Sequence, residues 1–246
     1  MYEKEYLKPN NRGLSLVELI IAISIGVIVS GSIAALITFS IRMYNNESVN
    51  TAMQYELQSN LNMMMDEIMG ASAFVVEQDS TVNLTDTGKP YTKYAMFGNP
   101  NADIGGSKGF KGVIFVPSTV TDGKFSIYMK EVEAVPATTI KALAASESAG
   151  VLAEGDKTPY LLGENATKFA IIPDPRSISF DKTDPDPTKY TYVNPIEVKV
   201  ELQFEKHGWG SNNYSKHVDD TTYLRNKVTE TIYVDTDSYN LKKKEE

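Results

Sequence analysis

The chain contains no cysteine. That excludes a disulfide framework, a thiol nucleophile, an iron–sulfur cluster and thiolate-ligated zinc, so any domain here stands on its hydrophobic core alone. Histidine is scarce as well: His207 and His217 leave little material for imidazole catalysis. Basic charge is in deficit, with 24 Lys and Arg against 32 Asp and Glu for a net charge of −8. A general nucleic-acid binder needs a basic face, so that class is disfavoured. Neither a phosphate loop nor a dinucleotide fingerprint is present. What remains is ordinary for a globular chain, 41% hydrophobic and 23% charged, which excludes collagen-like and wholly disordered classes. A length of 246 residues allows one sizeable domain or two small ones.

One segment departs from a soluble pattern. From Leu19 to Ile41 no residue carries a charge, and a helix of that length spans roughly 35 Å, enough to cross a hydrocarbon core of about 30 Å. A buried core helix or a cleaved secretory signal would carry a shorter apolar run. The flanks set the orientation. Lys4, Lys8 and Arg12 precede the run and Arg42 alone follows it, which predicts a cytoplasmic N-terminus and the bulk of the chain outside. At the head of the run stands Glu18. A carboxylate there is costly if carried to the membrane centre, about 2.5–3.5 kcal/mol, and an acid so placed is by default functional and in need of a partner.

The residues around it are Arg12-Gly13-Leu14-Ser15-Leu16-Val17-Glu18, running straight into the apolar stretch. This pattern resembles the N-terminal signature of type IV pilins and pseudopilins: a short basic leader ending in Gly, an apolar residue, Ser or Thr, two mostly apolar residues and Glu. The resemblance implies that a prepilin peptidase cuts between Gly13 and Leu14 and methylates the new N-terminus on Leu14. It also implies that Glu18 serves assembly. Leu14 departs from the Phe or Met more usual at that position. The chemistry agrees with this mapping. Gly13 gives a protease access to the backbone, and cutting there creates a charged amine four residues before Glu18. In a packed filament, an amine from one subunit and a carboxylate from the next would neutralise each other and fix the register.

After Arg42 a helical stripe persists. Val49, Met53, Leu57, Leu61, Met64 and Ile68 recur at three- and four-residue spacing, predicting an amphipathic continuation that stops near Gly70. The Met63-Met64-Met65 run reads as adaptable core filling. Beyond it the period shifts toward two. Residues Glu197 to Glu205 alternate without error, and Lys111–Val116, Phe125–Lys130 and Val228–Val234 read as further strands. Asp122-Gly123 is a hairpin signal. Leu161–Gly163 and Thr167–Ile172 add one strand or two, and Thr139–Ala149 reads as a short helix ending at Gly150. Two stretches read as long surface loops: Asp174–Tyr190, with Pro175, Pro185 and Pro187, and the polar Lys206–Thr221. The Leu241–Glu246 tail reads as frayed. The expected fold is α+β, a long N-terminal helix packed on an antiparallel sheet. The expected divisions are a leader at 1–13, a transmembrane and filament-core helix at 14–41, its amphipathic continuation at 42–70, and an extracellular β-rich domain at 71–246.

Few other residues invite chemistry. Asp181, Asp184 and Asp186 offer oxygens to calcium, but their spacing matches no EF-hand and the prolines among them favour a stiff turn. His207, His217, Asp219 and Asp220 make a zinc set only on paper, since ten residues between histidines fits no helical ligand pair. Trp209, between two glycines, is a local core plug or an exposed contact residue. The reading is therefore a structural subunit that catalyses nothing and holds no cofactor or metal. Its expected partners are prepilin peptidase, other pilin subunits, assembly-platform proteins and, before assembly, membrane lipid. Its expected place is the cytoplasmic membrane and then an extracellular filament. The long mature chain and the missing C-terminal cysteine pair favour a minor subunit, and the late layout resembles the minor pilins called PilW-like. The rivals are a tip adhesin or DNA-uptake receptor on the same anchor, a pseudopilin of a type II secretion system, and a plain bitopic protein whose leader is never cut.

Overall fold

The computed structural model describes residues 15–78, 92–134, 140–151, 159–173, 178–180, 190–192, 196–208 and 213–225. The chain divides into two compact units, Met1–Ser48 and Val49–Glu246. Helix α1 runs from Leu16 to Gly70. Its portion in the first unit is the apolar run, long and apolar enough to cross a membrane. The large side chains from Leu16 to Tyr44 are exposed. Three hydroxyls in this run are satisfied by the helix itself: Ser24, Ser32 and Thr38 donate to the carbonyls of Ile20, Ile28 and Ala34 at 2.8–2.9 Å. That back-bonding lets a polar side chain sit in an apolar surrounding with no unsatisfied donor.

In the second unit the stripe predicted from spacing is the buried face of α1. Met53, Leu57, Leu61, Met64 and Ile68 are buried, Met65 and Asn60 join them, and Val49 is half-buried. The helix ends at Gly70. Its terminal carbonyls find donors in Ala71 N–H (to Ile68) and Arg225 N–H (to Met69), each at 3.2 Å.

The strands of this unit are β1 (Ala73–Gln78), β2 (Thr92–Ile104), β3 (Ser107–Pro117), β4 (Phe125–Ala134), β5 (Tyr160–Pro173), β6 (Ile178–Phe180), β7 (Tyr190–Tyr192), β8 (Glu197–His207) and β9 (Asn213–Tyr223). Seven form one antiparallel sheet in the order β1-β2-β3-β4-β5-β8-β9, and β6 pairs with β7 in a separate ribbon. Helix α2 (Ile140–Val151) lies between β4 and β5 in the chain. Strand order thus follows chain order, a meander with one excursion between β5 and β8. Two turns are made by left-handed residue pairs, which two-residue hairpins require: Gly105-Gly106 at φ 59° and 89°, and Asp122-Gly123 at φ 52° and 75°. The second is closed by paired backbone hydrogen bonds between Thr121 and Lys124 at 2.8 and 3.0 Å.

Strands β1 to β3 are buried on both faces over Ala73–Val76, Tyr94–Gly98 and Val113–Val116. One face stacks Phe74 on Phe97, with centroids 5.7 Å apart, and sets Phe97 against Phe115 at 6.4 Å. Beside the opposite face lies α2, tied to β4 by Lys130–Glu147 at 3.2 Å. Strand β8 instead buries Val198, Val200, Leu202 and Phe204 and leaves the residues between them half-exposed. Asn165, at φ 58°, bends β5. Farther along that strand, Ile171 N–H donates to Thr92 Oγ1 at the start of β2, at 2.9 Å, so the sheet curls on itself. Asn60 Nδ2 donates to the Leu162 carbonyl, and Lys206 pairs with Glu56, so polar contacts tie α1 to β5 and β8.

The α+β expectation holds, with several corrections of detail. Strands β1 and β2 have no counterpart in the sequence reading, because burial of Ala73–Val76 and Tyr94–Gly98 on both faces erases the alternation that reveals a strand. The stretch Lys206–Thr221 is not a loop: β8 reaches His207, and β9 pairs along its whole length from Asn213↔His207 to Tyr223↔Glu197. Its polar composition suits a sheet edge, where one row is largely exposed and the other holds only Tyr214, Val218 and the buried Thr222 against the core. Leu161–Ile172 is one bent strand, and α2 runs past Gly150 to Val151. The proline-rich Asp174–Tyr190 stretch holds β6 and reaches the start of β7. The strand expected at Val228–Val234, Trp209, the aspartates 181, 184 and 186, and the 241–246 tail lie outside the described residues.

Candidate processing and assembly site

The helix begins with a reciprocal cap. The Glu18 backbone N–H donates to Ser15 Oγ at 3.2 Å, and the Ser15 backbone N–H donates to Glu18 Oε2 at 2.9 Å. Leu19 N–H donates to the Ser15 carbonyl at 3.1 Å, the first intrahelical bond. This is a capping box, in which Ser at the cap and Glu three residues later satisfy two of the orphan donors at a helix start. The acid also lies at the positive end of the helix dipole. The Ser-x-x-Glu spacing was readable in the sequence, where Ser15 drew attention only as part of the longer motif.

Gly13 and Leu14 lie outside the described residues. The cap nevertheless bears on them. Every atom of it lies on the C-terminal side of a Gly13–Leu14 cut, because the Ser15 N–H belongs to the peptide bond following Leu14. A cut there leaves the cap whole and sets a free amine one residue before Ser15. Among the described residues, only Ser15 engages the Glu18 carboxylate.

The other candidates disperse. His207 stands opposite Asn213 and His217 opposite Gln203, four rungs apart on the β8–β9 ladder, so the two are not brought together. Asp219 and Asp220 point to opposite faces of β9, as neighbours in a strand must. Among the described residues no three His, Asp or Glu side chains cluster as metal ligands. Gly105-Gly106-Ser107-Lys108-Gly109 has the spacing of a nucleophile elbow. It forms the β2–β3 hairpin, with no helix after it, whereas the elbow is a strand-to-helix turn.

The outer face of β5, β8 and β9 carries a ladder of charges. Lys168 and Lys199 both reach Glu201, the latter at 2.7 Å, and Lys199 also meets Asp219 at 3.0 Å. Burial pushes the Glu201 carboxyl up, but hydrogen bonds from Lys168 and Lys199 outweigh it and hold the group below its ordinary value. Hydrogen bonds to Glu201 and Asp219 hold Lys199 above its own. On α1, burial raises Glu67, and the nearby charges of Glu131 and Asp66 push it further the same way. The first two shifts come from ion pairing across the sheet, the third from burial and like charge on α1.

Residues 8–34 match the family model of the prokaryotic N-terminal methylation motif, the prepilin signature of type IV pilins. The motif marks a type IV pilin-like or pseudopilin substrate of prepilin peptidase, and that family is structural. Neither the curated proteins nor the solved structures give a match to the chain.

Proposed function

We propose that this chain is a minor structural subunit of a type IV pilus-like filament, or of its secretion-system relative. Prepilin peptidase cuts it between Gly13 and Leu14 and methylates Leu14. The subunit waits in the cytoplasmic membrane with its C-terminus outside, then enters the filament through the first part of α1, with Glu18 facing the amine of a neighbour. The supporting observation is the Ser15–Glu18 cap at the head of an exposed apolar helix. A carboxylate already holding a backbone donor has part of its desolvation cost offset within its own chain. It can therefore enter an apolar environment and still receive a second donor. No catalytic role is assigned to any residue. Intact-mass measurement of the native protein tests the processing step: a mass beginning at methylated Leu14 supports it, and a chain that still begins at Met1 refutes it.

A further inference from the structure

Strand β9 ends the seven-stranded sheet, and among the described residues nothing pairs with its outer edge. It is eleven rungs long and flat in register, every residue from Asn213 to Tyr223 being matched to β8 without a bulge. Natural sheets usually blunt such an edge with charges that repel a second strand. The charges here are arranged differently. The sequence Asn-Tyr-Ser-Lys-His-Val-Asp-Asp-Thr-Thr-Tyr has its two cationic or protonatable residues on one side of Val218 and its two acids on the other.

We propose that β9 is a self-complementary docking edge whose occupant is β9 of a second copy of this chain, antiparallel and centred on Val218. In that register Lys216 stands opposite Asp220 and His217 opposite Asp219, each pair twice by symmetry. Ser215 meets Thr221 and Tyr214 meets Thr222, a hydroxyl pair and an aromatic–β-branched pair that stabilise antiparallel ladders. Each pair joins residues of the same parity, so both members lie on the same face of the joined sheet. Moving the centre by one residue destroys the match: centring on Asp219 sets that acid against itself, and centring on His217 sets Lys216 against Val218. Asp219 and Asp220 are exposed, as are His217 and Ser215. The contact is isologous and closes on two copies, unlike the head-to-tail contacts that extend a filament. It therefore stands independently of the filament reading.

The absence of native cysteine makes a register test clean. Full-length protein in mild detergent, where no bilayer restricts how two copies meet, is mildly oxidised and run on a non-reducing gel. Val218→Cys lies on the two-fold axis, where facing Cα atoms are about 4.5–5.5 Å apart, within disulfide range. A covalent dimer is expected. Ser215→Cys meets its own copy only across about 20 Å of strand and is expected to stay monomeric, whereas a mixture of Ser215→Cys and Thr221→Cys chains dimerises. Adding Lys216→Asp to Val218→Cys places like charges opposite each other twice and is expected to cut the yield about fivefold or more. The double change Lys216→Asp with Asp220→Lys restores it. Equal cross-linking of Val218→Cys and Ser215→Cys would overturn the register. Failure of both Val218→Cys and the mixed pair would overturn the contact, and failure of the charge swap to rescue would overturn the charge argument. In whole cells, an adduct of position 218 with a different polypeptide in place of the dimer would overturn the choice of occupant.

Discussion

Glu18 has two separable physical roles, and three substitutions tell them apart. Its carboxylate caps α1 through Ser15 N–H at 2.9 Å, and its charge is the proposed partner of a neighbour's amine. Glu18→Gln keeps the cap, because a glutamine oxygen accepts from the same N–H, and removes the charge. Ser15→Ala keeps the charge and removes the hydroxyl that accepts Glu18 N–H at 3.2 Å. Glu18→Leu removes both. Loss of a cap costs about 0.5–2 kcal/mol, roughly a two- to thirtyfold change in the helix-start equilibrium. A buried charge left without its partner costs about 3–5 kcal/mol, more than a hundredfold in a contact equilibrium. If the charge drives assembly, Glu18→Gln and Glu18→Leu both leave processed subunit in the membrane and nearly absent from sheared filaments. Ser15→Ala then loses only a small part of its incorporation. Membrane insertion is unaffected in all three, since the apolar run that drives it is untouched. Quantifying each variant in the filament and membrane fractions reads the outcome directly. Normal incorporation of Glu18→Gln together with failure of Glu18→Leu would refute the charge argument and leave capping of the Ser15 N–H as the function of Glu18.

Three further outcomes follow from the second unit. Asn60→Leu leaves the buried Leu162 carbonyl without its donor from α1, so denaturant unfolding should show a loss of about 1–3 kcal/mol. An unchanged midpoint would mean that the bond adds nothing net. Gly98 faces Gly112 across β2 and β3, and a Cβ at position 98 would fall 2.5 Å from the Lys111 carbonyl oxygen and 2.7 Å from Gly112 Cα. Both obstacles are backbone, so Gly98→Ala should cost about 1–3 kcal/mol or more, read as a lower thermal midpoint. Glu67 has a raised carboxyl through burial and then through Glu131 and Asp66. The folded state holds that proton more tightly than the unfolded chain, so its favourable contribution exists at acid pH and is lost as pH rises through the raised value. Glu67→Gln should accordingly raise the unfolding midpoint at pH 7 and lose that advantage below the ordinary carboxylate range. An advantage that grew on acidification would contradict the sign.

The sequence alone determined what is contiguous or locally periodic. The uncharged run from Leu19 to Ile41 is set by length against a bilayer, and Ser15-x-x-Glu18 caps its own helix within one turn, so both are legible without a fold. Met53, Leu57, Leu61, Met64 and Ile68 mark a buried helix face because three- and four-residue spacing has one geometric meaning. Strand β8 is legible because one of its faces stays wet. Only the tertiary structure decided the rest. Ala73–Val76 and Tyr94–Gly98 are covered on both faces, so the alternation that would reveal a strand vanishes there. Strand β9 reads as a loop because its inner row, Tyr214, Lys216, Val218, Asp220 and Thr222, is mostly polar and gives no clear alternation; what places it is backbone pairing with β8. Asn60 is a polar residue on the apolar stripe, three residues after Leu57 and four before Met64, and its partner is invisible until β5 brings the Leu162 carbonyl, 102 residues away, within its reach. Pairings of that kind depend on which surfaces meet after folding, and no local pattern of residues encodes them.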